Sequence, residues 1–234
     1  MISATSLFAF IITEKRVNHP LLDLKLMSDR NFLPPTLILL LVSLSIFSVY
    51  LTITVMVRSP VPFGFGGDTL TVANIQLPFM MVFLVTTAIS GFLLNKIKNY
   101  RIILSGTSIA TVGFFLLVMF HTTETSVMVG LTILAVGLSL SIAGGFNVIL
   151  VSVPMKITGI ALGMAMLLNL VGMSVGPVFA GLFQDTYNGT VEGISGTFPT
   201  ETAYLAIFAS STLISLISVV LSLIVNKRKI RIQE

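Results

Sequence analysis

The chain has 234 residues, of which 55% are hydrophobic and 9% charged, and its mean hydropathy is +1.03. Soluble domains carry roughly a quarter charged residues, so a surface this poor in charge excludes an ordinary water-soluble globule and makes the bilayer the natural solvent. There is no cysteine, which excludes disulfides and thiolate metal sites, and the net charge of +4 is spread over alternate loops rather than gathered into a nucleic-acid-binding patch.

In chain order, residues 1–13 (MISATSLFAFIIT) are apolar but span only about 20 Å as a helix, short of the roughly 30 Å hydrocarbon core. They lack a basic leading region and a small-residue cleavage site, so they make a poor signal peptide. They are expected to be the C-terminal remnant of a transmembrane helix. Residues 14–32 mix Leu21, Leu22, Leu24 and Leu26 with Asp23 and Lys25, which predicts an amphipathic connector lying on the cytoplasmic surface.

Six long apolar runs follow, over 33–57, 73–94, 102–120, 127–151, 158–183 and 202–225, and none contains Asp, Glu, Lys or Arg. Each is long enough to cross with some tilt. Pro34 and Pro35 suit the start of the first helix. Residues 226–234 form a basic tail. The fold class expected is an all-α integral membrane protein, a six-helix transmembrane bundle with a truncated helix before it.

Basic residues orient the spans. Lys15, Arg16, Lys25 and Arg30 precede the first, Lys96, Lys98 and Arg101 separate the second from the third, Lys156 lies between the fourth and fifth, and Lys227, Arg228, Lys229 and Arg231 follow the sixth. Of the thirteen Lys and Arg only Arg58 falls on the other side, together with Asp68, Glu124, Asp185, Glu192 and Glu201. The basic loops, and with them the C-terminus, are therefore expected in the cytoplasm, and the localisation expected is the plasma membrane. The opposite loop, residues 184–200, is Gly-rich and polar and carries an Asn188-Gly189-Thr190 sequon, a weak signal in any sequence.

The fifth span carries the densest local pattern. Gly172, Gly176 and Ala180 recur at every fourth position on one face, a row that lets another backbone approach closely. Gly159 and Gly163 make a second such pair, and Pro177 removes the hydrogen bond to the Met173 carbonyl and favours a bend. General small-residue packing explains the glycine spacing equally well. With Gly163, Gly172, Gly176-Pro177 and Ala180-Gly181 taken together, the pattern resembles the antiporter motif of the major facilitator superfamily. Ala180 stands where the first of two final glycines is usual. Gly91, Asn95, Lys96 and Arg101 resemble the superfamily's signature cytoplasmic loop, with Asn95 in place of the usual Asp and Lys98 in place of a usual Gly. The stretch from His19 to Phe32 resembles the connection before the C-terminal six-helix domain in the fourteen-helix drug:proton antiporter branch. The resemblance implies one half of a transporter, the substrate passing between two halves at mid-depth.

Uncharged polar groups inside the spans are the candidate substrate pathway: Tyr50 and Thr52 in the first, Asn74 and Gln76 in the second, Asn147 beside Phe146 in the fourth, and Asn169 in the fifth. Interhelical hydrogen bonding is the competing reading for the amides, and core packing for Phe146 and the eleven methionines. No span holds the ionisable group that proton coupling needs, so the coupling carboxylate is expected in the other half. The partners expected are the lipid bilayer, a small-molecule substrate and an N-terminal transporter half, whether in the same reading frame, on a separate chain or as a second copy. No nucleic acid, cofactor or metal is expected. His19 and His121 fall in distant loops, no span offers acid–base chemistry, and no phosphate-binding loop is present, so an enzyme is not expected. A non-transporting membrane protein that associates with a full-length transporter is the alternative.

Overall fold

The computed structural model describes residues 24–229. The expected helix remnant over 1–13, most of the connector, and the end of the basic tail lie outside them. Among the described residues six helices are long and apolar enough to cross a membrane: α1 (Leu33–Arg58), α2 (Thr69–Lys96), α3 (Asn99–Met119), α4 (Glu124–Ser152), α5 (Thr158–Thr186) and α6 (Glu201–Lys229). The chain is thus a multi-pass helical membrane protein.

Capping explains why several helices begin before their apolar runs. α2 starts at Thr69 because the Asp68 carboxylate accepts the Thr71 N–H at 2.9 Å. α4 starts at Glu124 because the Thr123 hydroxyl accepts the Ser126 N–H at 3.3 Å, with the acidic Glu124 in the first turn. Prolines 34 and 35 open α1. Pro78 and Pro177 lie inside α2 and α5, each assigned as one continuous helix.

Connections of two to five residues join α2 to α3, α3 to α4 and α4 to α5, so these helices alternate in direction. Lys96, Lys98, Arg101 and Lys156 therefore share one end of the bundle, called here the basic end. The loop over 184–200 is more ordered than its composition suggests. Strand β1 (Asn188–Val191) pairs antiparallel with β2 (Ile194–Pro199) around a turn where Gly193 takes φ +80°, a conformation glycine adopts at little cost. The sequon asparagine lies in β1, its Nδ2 donating to the Asp185 carbonyl at 2.6 Å.

α1 and α4 form the centre. The most hydrophobic window of each is 56% and 61% buried, against 11% for α2 and 22% for α5. α1 packs on α5, α6 and α4, whereas α4 packs on α2, α3 and α1, and α3 meets α6. Exchanging α1 with α4, α2 with α5 and α3 with α6 leaves this pattern of neighbours unchanged. Because α1 leaves the basic end and α4 returns to it, the two three-helix units are inverted relative to one another. One core cluster runs through the centre from Ile38 to Phe208. A second, near the basic end, packs Leu26 and Phe32 from the connector against Leu39, Ile149, Ala161 and Met164.

Close helix contacts are made where side chains are smallest. A Cβ on Gly176 would stand 2.6 Å from the Leu44 carbonyl oxygen and 3.0 Å from Ser48 N, and one on Gly172 would overlap the Leu40 carbonyl. α5 thus lies directly on the backbone of α1. On α4, Gly137 faces the backbone of Ala110 and Gly144 that of Ile103, which seats α3 equally close. Hydroxyls add interhelical bonds: Thr111–Ser215 at 2.7 Å and Thr107–Ser222 at 3.0 Å join α3 to α6, and Thr87–Ser139 at 3.0 Å joins α2 to α4.

Candidate functional site: a groove at the basic end

An open groove of about 670 Å³ lies between α2, α4 and α5 at the basic end. Gly91, Leu94 and Asn95 form one wall, Ala143, Phe146, Asn147 and Leu150 the floor, and Leu162 and Met166 the other wall. The fold explains its position. α4 is central, while α2 and α5 flank it and make far less contact with the rest of the bundle, so a gap between them has α4 at its base. Gly91 presents no side chain, and a Cβ there would meet nothing within 4 Å.

The groove unites two groups of residues read separately from the sequence. Asn95 and Gly91 belong to the loop that resembles the superfamily signature, and Phe146 and Asn147 to the candidate pathway. Lys96 and Arg101 stand nearby, both exposed, and the Arg101 guanidinium lies 6.0 Å from the centre of the Tyr100 ring. Asn147 Nδ2 donates to Asn99 Oδ1 at 3.3 Å, which ties α4 to the start of α3.

The remaining candidates do not line this groove. Asn169 is buried in the α1–α5 seam, where its Nδ2 donates to the Ser43 hydroxyl and to the Leu39 carbonyl at 3.4 Å. Its place among the packing residues Gly172, Gly176 and Ala180 corresponds to interhelical bonding. Tyr50, Thr52 and Gln76 gather toward the opposite end. Gln76 Nε2 donates to the Thr54 hydroxyl at 2.9 Å and to the Tyr50 carbonyl at 3.3 Å, and the Tyr50 ring lies 5.5 Å from Phe79. Thr52 is buried and accepts from Gln184 Nε2 at 3.1 Å. Asn74 is exposed.

The glycine pattern of α5 divides. Gly172, Gly176 and Ala180 are buried against α1, and the Ser48 hydroxyl donates to the Gly176 carbonyl at 2.8 Å. The expectation that Gly159 and Gly163 form a second close-contact pair is corrected, since a Cβ at either, or at Gly181, would meet nothing within 4 Å. Gly163 sits two residues from the buried Ala161 and Ala165, on the far side of a 3.6-residue turn. Pro177 is half-buried beside Gly176.

Three features escaped sequence reasoning. Gln184 and Thr54 hold α5 and α2 to α1. Serines 211, 215, 218 and 222 form one buried face of α6, legible in their spacing of four, three and four. His121, expected in an ordinary loop, is buried there. Its Nδ1 is 3.1 Å from the Leu117 carbonyl and its Nε2 3.6 Å from Glu201 Oε1, with the ring edge-on to Phe208 at 5.8 Å. It holds the α3–α4 turn against the start of α6.

Among the described residues no cluster of three or more His, Asp or Glu side chains could hold a metal ion, and the groove lining contains no titratable side chain. What the lining offers a ligand is apolar surface, one aromatic ring and two carboxamides. Compared with protein-family models and with curated proteins, the chain matches none.

Proposed function

We propose that this chain is a C-terminal six-helix half of a secondary transporter of the major facilitator type, and that it moves drugs or other small solutes outward in exchange for protons. The observation that carries the reading is the pattern of helix neighbours. Two inverted three-helix units share a centre of α1 and α4, and a groove opens beside that centre at the basic end. Inverted repeats with the site at their interface are a recurrent architecture of secondary transporters. The α5 seam supports it, because two of the four glycines of the motif-like stretch, Gly172 and Gly176, seat α5 on α1. In this reading the groove is part of the substrate path, and the other half supplies the coupling carboxylate and the opposite wall. The basic end faces the cytoplasm and the membrane is the plasma membrane.

The test is reconstitution. The chain is placed in liposomes alone and together with an N-terminal six-helix half of a drug:proton exporter, and dye flux is followed under an imposed pH gradient. Flux above empty liposomes that falls on Phe146→Ala substitution supports the proposal, and flux equal to empty vesicles in both preparations refutes it. Orientation is read by placing single cysteines at Lys98 and Glu192 of this cysteine-free chain. Only the second should react with an impermeant reagent added outside whole cells.

A second reading, a non-transporting partner of a full-length transporter, is favoured by one residue. Asn95 cannot supply the negative charge that the family places in this loop. Co-purification with a full-length exporter, with flux unaffected by altering Asn147, would favour it.

A further inference from the structure

The groove at the basic end has a charge pattern that selects among ligands. Its lining side chains include Leu94, Phe146, Leu162 and Met166, with Asn95 and Asn147 as its polar groups and no ionisable group among them. Around its end of the bundle stand five described cations, Arg30, Lys96, Lys98, Arg101 and Lys156, all exposed. The acidic side chain described at this end is Asp29, which sits in the turn before α1 and accepts the Asn31 N–H at 2.6 Å.

An ammonium ion entering the groove would give up its hydration without gaining a carboxylate partner, and it would approach through a positive field. A carboxylate or sulfate would be drawn to that end, but the attraction is screened within about 10 Å and no cation is among the described lining residues to receive it. An uncharged head meets neither penalty. Asn147 directs its Nδ2 to Asn99 at 3.3 Å, which leaves its carbonyl oxygen to accept from a ligand, and the exposed Asn95 offers both a donor and an acceptor. The apolar body would lie against Leu94, Phe146, Leu162 and Met166, where methionine adapts to varied shapes.

We infer that the groove between α2, α4 and α5 takes an uncharged amphiphile, an apolar body with an amide or hydroxyl head, in preference to a lipophilic cation or an anion. This rests on the reading of the groove as substrate path, yet binding is measurable without transport.

The experiment uses the full chain in phosphatidylcholine nanodiscs and three competitors that share a decyl body: N-decylacetamide, decyltrimethylammonium and decyl sulfate. A diazirine-bearing decylamide is photolysed and the labelled residues are mapped by mass spectrometry. Label is expected on α2, α4 and α5 around Phe146 and Met166. N-decylacetamide is expected to displace it at roughly tenfold lower concentration than the cation, a difference of one decade in affinity, with the sulfate between. Asn147→Asp is expected to improve competition by the cation about tenfold. Asn95→Asp, at an exposed position that folding tolerates, is expected to do the same to a lesser degree. Equal or better competition by decyltrimethylammonium in the native chain overturns the inference, as does label that falls outside the groove. Selective binding without flux in the liposome assay would leave this inference standing while refuting transport, and flux with cation-preferring binding would do the reverse.

Discussion

The seam between α1 and α5 is where substitution should be felt most. Replacing Gly176 by alanine puts a methyl group 2.6 Å from the Leu44 carbonyl oxygen and 3.0 Å from Ser48 N. Both are backbone atoms in the middle of α1, so no rotamer change relieves the contact. A comfortable approach is about 3.5 Å, and the helices must part by roughly 0.9 Å. A gap of that order forfeits about a quarter to a half of each dispersion contact across it. It also stretches the 2.8 Å bond from Ser48 to the Gly176 carbonyl beyond useful length. Overpacking of this kind costs about 1–3 kcal/mol, and Gly176→Ala is expected near ~2 kcal/mol, with Gly172→Ala at the upper end because its contact with Leu40 is closer still. The control is Gly163→Ala on the same helix. A methyl there meets nothing within 4 Å, and the helix gains up to about 1 kcal/mol from losing a glycine. Unfolding of the three variants in dodecylmaltoside with rising dodecyl sulfate, followed by circular dichroism, measures the differences. If Gly163→Ala and Gly172→Ala unfold together, the geometric reading of the seam is wrong.

The α3–α6 interface should show coupling between hydroxyls. Thr111→Val with Ser215→Ala, in a double-mutant cycle, is expected to give about 0.6–1.7 kcal/mol for the 2.7 Å pair, and additivity within error would refute a bond there. At the start of α2, hydrogen bonds from the Thr71 backbone N–H, and next from its hydroxyl, hold the Asp68 carboxyl below its usual range. A folded value below the unfolded one means that the contribution to stability is full above the unfolded pKa and is lost as pH falls through the folded one. Asp68→Ala should therefore lower the melting temperature at neutral pH and converge with the native chain at strongly acidic pH. A constant difference across that range would show that the cap acts without its charge.

Much of the scaffold was legible in the sequence, because lipid enforces a simple rule: six charge-free runs, each long enough to cross, became six helices. Most boundaries lie outside the apolar runs, by as much as four residues, since hydropathy ignores polar caps such as Asp68 and Thr123 that extend helices past their apolar cores. Packing was legible where it repeats, as in Gly172, Gly176 and Ala180. It failed for Gly159 and Gly163, because the same residue type serves any face and only the direction of the turn decides which face is covered. The groove was half visible. Phe146 and Asn147 stand out for their chemistry and Asn95 for its place in the signature-like loop, but spacing along the chain does not show that α2 and α4 bring them together, or that Asn169 bonds to Ser43.

The polar residues that miss the groove mark its counterpart. Exchanging α1 with α4 and α2 with α5 carries the space between α2, α4 and α5 onto a space between α5, α1 and α2 at the opposite end, where Tyr50, Thr52 and Gln76 lie. That end is tied. Gln76 joins α2 to α1 through Thr54 at 2.9 Å and the Tyr50 carbonyl at 3.3 Å, and Gln184 joins α5 to α1 through Thr52 at 3.1 Å. At the basic end the bond Asn147 makes runs to α3, and among the described residues α2 is joined to α4 by Thr87–Ser139, one turn from Gly91 and Ala143. Two glutamines thus hold both flanking helices to α1 at the opposite end, whereas at the basic end no described side-chain hydrogen bond ties α5 to α4. Each such bond is worth about 0.6–1.7 kcal/mol inside a membrane. Removing both glutamine ties should cost on the order of 1–3 kcal/mol, enough to shift an opening equilibrium roughly tenfold to a hundredfold. The assay is the alkylation rate of Tyr50→Cys in detergent, where both ends of the bundle are accessible. Adding Gln76→Leu and Gln184→Leu should raise that rate by at least tenfold, whereas Asn147→Leu should leave it unchanged. An unaltered rate in the glutamine variants would mean that these hydrogen bonds do not limit access to position 50.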